Sequence, residues 1–406
     1  MTGRLLVSSR PGEQRLALWA DDRLVEFVVE RAASEGRPGD IYLGRVTGVD
    51  KGLDAAFVEI GLARPGFLPL AESGDRPTDG AAVVVQVTRG ARGDKGARLR
   101  ARPVLAGWLL DFDPHRPGVR LSERVERTPE WQRLADLVRR VARPGEGFVL
   151  RRAAAGSGAE ALAAEADRLR ASWAGVLARR AAAKPPAQLH YDGDAVYRLL
   201  RDQAGPPPAE IVFDARAAAE AARRSLAAVA PDLAERVVYR PARDWVPGEA
   251  EIADEVAAAL EPRAPLPSGG WLLFEPGETL TAIDVNTGTA QGQGAERAPL
   301  QCNLEAAAEI AHQLRLRNIG GIVIVDFVDL KSKDHRRRVV EALGRAVAAD
   351  PCACSVGSMS RLGLVEMTRR RRGPSLAAQL TRACPACGGV GRVAGPATED
   401  RSGGGA

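Results

Sequence analysis

Short apolar runs broken by Gly, Pro and Asp fill the first hundred residues, and longer stretches with a three-to-four-residue apolar period begin only after them. RLLVSS and LVEFVVE, divided by the turn-like ADD, read as two strands that other parts of the chain must complete. From Asp40 to about Val104 the runs IYLGRVTGV, LDAAFVEIG, PGFLPL and AAVVVQVT lie too close together for helices. They predict a small β-barrel.

Between about 116 and 200, strand-like GVRLSE and GFVLRRA lead into a helix with Leu162, Ala166, Leu169, Trp173 and Val176 on its apolar side. Ser157 and Glu160 have capping-box spacing before it, and KPPAQLH ends it. Ala-rich stretches at 215–230 and 255–260 predict two more helices, with AEIVFDA and RVVYRP as strands. This α/β alternation is suited to completing the N-terminal pair. From Pro267 the pattern is strand (WLLFEP), strand (LTAIDVN), helix (NLEAAAEIAHQLRLR, with Asn303 as N-cap), strand (GGIVIVDFV) and helix (DHRRRVVEALGRAVA). The last residues, ATEDRSGGGA, have the composition of a disordered tail.

A chain of 406 residues that is 45% hydrophobic can fill the cores of several modules. The formal net charge is only +5, but basic residues bunch in DHRRRVV, TRRRRG and Arg151–Arg152. Solvated faces account for such bunching more often than polyanion binding does. The N-terminus has no secretory apolar region, and no run reaches the ~18 apolar residues of a spanning helix, so a cytoplasmic protein is expected. Five Cys are an odd and sparse number, pointing to reduced thiols. Four His without an H-E-x-x-H pattern argue against a His-rich catalytic zinc site.

Asp284 and Asn286 share one face of a strand, and Asp326 lies in a second apolar run. Burying carboxylates in such runs calls for a compensating cation or substrate group. Oxygen-only ligands at this spacing suit Mg²⁺ or Mn²⁺. Asp329 faces the other way if the strand continues, which makes it structural. Arg361 offers a fork to a phosphate or to a surface salt bridge. Phe57 and Phe67 stand out in a chain that is 4% aromatic, although a Phe in a small barrel is more often core. Lys95 in GDKGA occupies a turn where an ammonium can meet a phosphate. Cys384 and Cys387 have zinc-knuckle spacing but fill only half of a tetrahedral site. Cys352 and Cys354 are rival partners in the same chain, though PCACSV also reads as a buried strand. Cys302, beside the expected cap, reads as a plain small residue.

DIYLGRV, AAFVEIG followed by PGFLPL, LTAIDVNTG, NLEAAAEIAHQLRLRNIGGIVIVDF and CPACGG, in this order, resemble the ribonuclease E/G family over about residues 1–394. The resemblance implies a Mg²⁺-dependent endoribonuclease. Such an enzyme hydrolyses single-stranded, A/U-rich RNA to 5′-monophosphate and 3′-hydroxyl ends, in rRNA and tRNA processing and mRNA turnover. It implies an α/β multidomain fold: an RNase H-like subdomain (1–34 and 201–265) interrupted by an S1-type OB-fold barrel (35–115) and a 5′-sensor region (116–200). A deoxyribonuclease I-like catalytic subdomain (266–382), a zinc-link (383–394) and the tail (395–406) follow. It assigns Asp284, Asn286 and Asp326 to catalysis, the two aspartates to Mg²⁺, and Phe57, Phe67 and Lys95 to RNA. The family's Arg-Thr 5′-phosphate sensor reads Arg151-Arg152 here, a second cation replacing the hydroxyl, and its upstream paired arginines read Glu123-Arg124. Cys384 and Cys387 are expected to share Zn²⁺ with an identical pair in a homodimer. The chain resembles a short form without the family's C-terminal small domain or a degradosome scaffold. A non-catalytic RNA-binding platform is the rival reading, and Asp284, Asn286 and Asp326 speak against it.

Overall fold

Four β-sheets organise the residues that the computed structural model describes, which are 3–31, 36–74, 76–91, 95–122, 128–203, 205–288, 297–382 and 384–385. In the first, Arg4–Arg10, Glu13–Ala20 and Arg23–Arg31 form an antiparallel meander. Glu210–Phe213 adds in parallel to Arg4–Arg10, and Val237–Tyr239 adds beyond it. The N-terminal strands are therefore completed from far along the chain, as their isolation predicts. There are three of them rather than two, because EQRLALWA forms the middle strand. Leu16 and Leu18 pack on one face of this sheet and Ala17 on the other. Asp21 and Asp22, both at positive φ, make the tight turn after it.

The barrel is closed: Ile41–Asp50, Ala55–Glu59, Gly66–Pro69, Arg98–Arg100 and Ala82–Arg89 pair in sequence, and the last returns to the first. Val46, Val58, Leu68, Val85 and Leu99 fill it. This five-stranded closure is OB-like. Ala187–His190 extends the barrel sheet along Ile41–Asp50.

The third sheet joins Leu105–Ala106, Leu110–Asp113, Gly147–Leu150 and Gly118–Leu121, so 105–113 pairs away from the barrel. Two helices cover it. Ala159–Ala182 buries Leu162, Ala166, Leu169 and Val176, with Trp173 packed at the margin. The Ser157–Glu160 capping box does not form: Gly158 is the N-cap, without a side-chain bond, and Ser157 N is spent on the Ala154 carbonyl at 3.0 Å. The other helix, Pro129–Val141, is an addition to the expected elements, although Trp131, Leu134, Ala135 and Val138, its buried residues, have the spacing of one helical face.

The fourth sheet runs Arg263–Pro265, Trp271–Pro276, Leu280–Asn286, Gly321–Asp326, Leu364–Arg369, Cys354–Met359. Ile283, Val285, Val323 and Val325 share one core with Ala306 and Ile310 of helix Arg297–Leu316 and with Val339 and Leu343 of helix Lys333–Ala348. Asn303 is not an N-cap. The first helix starts six residues earlier, at Arg297, and Asn303 is wholly buried within it. PCACSV is likewise not a buried strand. Cys352 is buried, but Cys354–Met359 is a half-exposed edge strand. Among the described residues, no helix is long and apolar enough to cross a membrane.

Candidate active site

From Thr281 to Asn286 the strand alternates buried and half-buried residues, so Asp284 and Asn286 leave the core face together. Asp284 stands directly opposite Asp326 in the parallel ladder. Asn286 Nδ2 donates to Asp284 Oδ2 at 2.8 Å. One expectation needs correcting: the carboxylates are not sunk in the apolar runs, since Asp284 is half-buried and Asp326 exposed at its strand's end. Alternation sends the neighbouring valines inward and the acids outward. Partial burial, and then the negative charges of Asp284 and Asp329, push the Asp326 carboxyl above its ordinary value. Among the described residues, no Lys or Arg pairs with Asp284 or Asp326.

Asp329 also departs from expectation. The strand stops at Asp326, and the chain turns so that Asp329 comes back toward the same space. A Cβ on Gly363 would stand 3.7 Å from Asp329 Oδ1 and 4.0 Å from Asp326 Oδ1. Gly363 belongs to a tight turn at positive φ, braced by Ser360, whose Oγ accepts from Leu362 N and Leu364 N at 3.2 Å each. Its carbonyl accepts from Phe327 N at 3.4 Å. The turn thus lies against the acidic end of the sheet, with Arg361 exposed on it. Leu362, 77% exposed, projects beside that arginine and carries no sequence signal of its own.

Phe57 and Phe67 are directly opposed on neighbouring barrel strands. Their rings meet edge to face, 6.1 Å between centroids at 74°. Both are half-buried, while the adjacent Val58 and Leu68 point inward, so the pair lies outside the barrel core. Lys95 is exposed at the barrel's edge. Arg151 follows strand Gly147–Leu150 and bonds Asp111 Oδ1 and Asp202 Oδ1, each at 2.7 Å. Arg152 is exposed in the short 3₁₀ turn Arg152–Ala154. Glu123 and Arg124 lie outside the described residues, as do Cys387 and the tail. Cys384 is an exposed free thiol. Among the described residues, no group of three or more His, Cys, Asp or Glu has metal-holding geometry.

The model of the ribonuclease E/G family matches residues 104–372. Ribonuclease G of Escherichia coli (strain K12) is 35% identical over 97% of this chain and 85% of its own length. Ribonuclease G of Haemophilus influenzae is 34% identical over 96% of this chain and 84% of its own, and ribonuclease E of Nostoc sp. 34% identical over 94% and 58%. With a small barrel and an acidic strand pair already in place, these similarities define the class of protein, an endoribonuclease of RNA processing and decay. The chain belongs to the ribonuclease E/G family.

Proposed function

We propose that Asp284, Asn286 and Asp326 form the active site of a Mg²⁺-dependent endoribonuclease. Its substrate is single-stranded, A/U-rich RNA, cut to 5′-monophosphate and 3′-hydroxyl ends in rRNA and tRNA processing and mRNA turnover. The observation that carries this reading is the pairing of Asp284 directly opposite Asp326 with no basic partner among the described residues. Two unpaired carboxylates side by side fit a divalent cation, and an all-oxygen set of two suits Mg²⁺, which retains several waters. When bound there, the cation would neutralise charge on the scissile phosphate and lower the pKa of an attacking water.

The protein's own groups do the rest. Asn286 fixes the orientation of the Asp284 carboxylate through its Nδ2 and keeps its amide oxygen to accept from water. Arg361 offers a bidentate fork to a phosphate beside the site. Phe57 and Phe67 present ring faces to bases, which stack without demanding sequence, and Lys95 meets the backbone between them and solvent.

The subdomain layout follows the family with one shifted boundary: RNase H-like at 1–34 and 201–265, S1-type barrel from 35 to about 104 rather than 115, sensor from there to 200 with Arg151 and Arg152, and deoxyribonuclease I-like at 266–382. Cys384 and Cys387 supply half of a zinc site that joins two copies into a homodimer.

Cleavage of an unstructured A/U-rich oligonucleotide in Mg²⁺ tests the active site. Asp284→Asn and Asp326→Asn are expected to abolish cleavage while RNA binding persists. Wild-type rates in either variant would remove the assignment.

A further inference from the structure

Asn303 is wholly buried, and its neighbour Cys302 is 2% exposed. A fully buried carboxamide is costly unless its donors and acceptor are met. Asn303 Nδ2 donates to the Val328 carbonyl at 2.8 Å, and Asn303 Oδ1 accepts from Val328 N at 3.0 Å. The side chain therefore pairs with a backbone residue as a neighbouring strand would. It does so two residues beyond Asp326, where the ladder has already ended. The Cys302 thiol donates to the Asn286 carbonyl, with Sγ 3.8 Å from the oxygen. Two adjacent helical residues thus reach the ends of both strands that carry the acidic pair.

We propose that Asn303, with Cys302 beside it, is a positioning residue for the metal-binding pair. This rests on the reading of Asp284 and Asp326 as cation ligands. Asp326 sits at an exposed strand end without a described side-chain partner, so only its backbone sets the direction of its carboxylate. Asn303 pins that backbone from below while Cys302 pins the Asn286 end, which holds the two carboxylates at one separation. Only a side-chain amide offers a donor and an acceptor in the plane of a peptide group. Asp in its place keeps the acceptor and loses the donor.

The test uses the full chain freed of metal, with Mn²⁺ binding followed by electron paramagnetic resonance. The Mg²⁺ dependence of cleavage, RNA affinity and thermal melting are recorded in parallel. Asn303→Asp and Asn303→Ala are expected to weaken Mn²⁺ binding about tenfold or more, as loss of groups that orient metal ligands does. The Mg²⁺ midpoint should move by the same factor, and saturating Mg²⁺ should restore most of kcat. RNA affinity without metal should stay within about twofold, because neither residue touches the barrel face. Cys302→Ala should shift Mn²⁺ binding in the same sense by less. Wild-type Mn²⁺ affinity in a folded Asn303 variant overturns the proposal. Where the Asn303 variants do not fold, Cys302→Ala carries the test, and wild-type affinity in it has the same consequence. Asp326→Asn is the control: if it too leaves Mn²⁺ binding intact, the metal reading itself has failed.

Discussion

Arg372, three residues beyond strand Leu364–Arg369, donates to Asp202 at 3.1 Å and so ties the acidic sheet to the segment after helix Ala195–Arg201. The same carboxylate accepts from Arg151 at 2.7 Å and from Arg201 at 3.0 Å. Burial alone would raise the Asp202 carboxyl, but Arg201, Arg372 and Arg151 outweigh it and hold it well below the usual range. A depressed carboxyl contributes stability that is complete above its unfolded value, about 3.9, and is lost as pH falls toward the folded value. Asp202→Asn should therefore cost about 3 kcal/mol at pH 7, as removal of one member of a largely buried ion pair does. The gap between variant and wild type should narrow below about pH 4. Urea denaturation across this range checks both statements, and an unchanged midpoint at pH 7 would refute them.

Phe57 should contribute to RNA affinity more than to turnover. It packs edge to face on Phe67 outside the core, so truncation to Ala costs little of the barrel's packing. Stacking on one base is worth about 1–3 kcal/mol, which corresponds to a loss of affinity of about tenfold for Phe57→Ala. Fluorescence anisotropy of a labelled oligonucleotide, in the Asp284→Asn background to prevent cleavage, measures this. Unchanged affinity in that experiment takes Phe57 off the RNA path.

The acidic strand pair was legible because a period of two places Asp284 and Asn286 on one face whatever else the chain does. That Asp326 lies opposite Asp284 depends on register, which only the assembled sheet displays. Asn303 misled because Asn before an apolar run has the local look of a cap, yet Leu300 and Cys302 already bury the preceding turn and carry the helix back to Arg297. Asp329 misled because the strand was extrapolated past Asp326. EQRLALWA has no polar–apolar alternation to mark it as a strand, because Leu16 and Leu18 are buried on one face of the sheet and Ala17 on the other. The contacts of Arg151 lie 40 and 51 residues away, beyond any local pattern.

The zinc proposal makes a stoichiometric prediction. Cys384 is exposed, as a ligand shared with a second copy must be. Cys352 is buried, and burial pushes its thiol up, which favours the protonated form over the thiolate that zinc needs. Native mass measurement with metal analysis should give one zinc per two chains, and Cys384→Ser should lose both the metal and the dimer. One zinc per chain that survives Cys384→Ser and is lost in Cys352→Ser would move the ligands to Cys352 and Cys354.

If the proposed 5′-phosphate sensor is correct, Arg151 and Arg152 should separate on 5′-end discrimination. Two carboxylates already occupy the fork of Arg151, whose side chain is 19% exposed, so a phosphate arriving there must displace Asp111 or Asp202. Arg152 is exposed on the turn that follows. Hydrogen bonds to charged groups are worth about 1.5–3 kcal/mol, so Arg152→Ala should reduce the ratio of kcat/KM for 5′-monophosphate over 5′-hydroxyl RNA by about tenfold. Arg151→Ala should instead lower thermal stability, because Asp111 and Asp202 lose a shared cation, and it should slow both substrates alike. Single-turnover cleavage of the two oligonucleotides, with melting curves for both variants, gives the comparison. A ratio that falls only in Arg151→Ala would place the phosphate on the buried arginine, and a wild-type ratio of one would mean that this chain does not read the 5′ end.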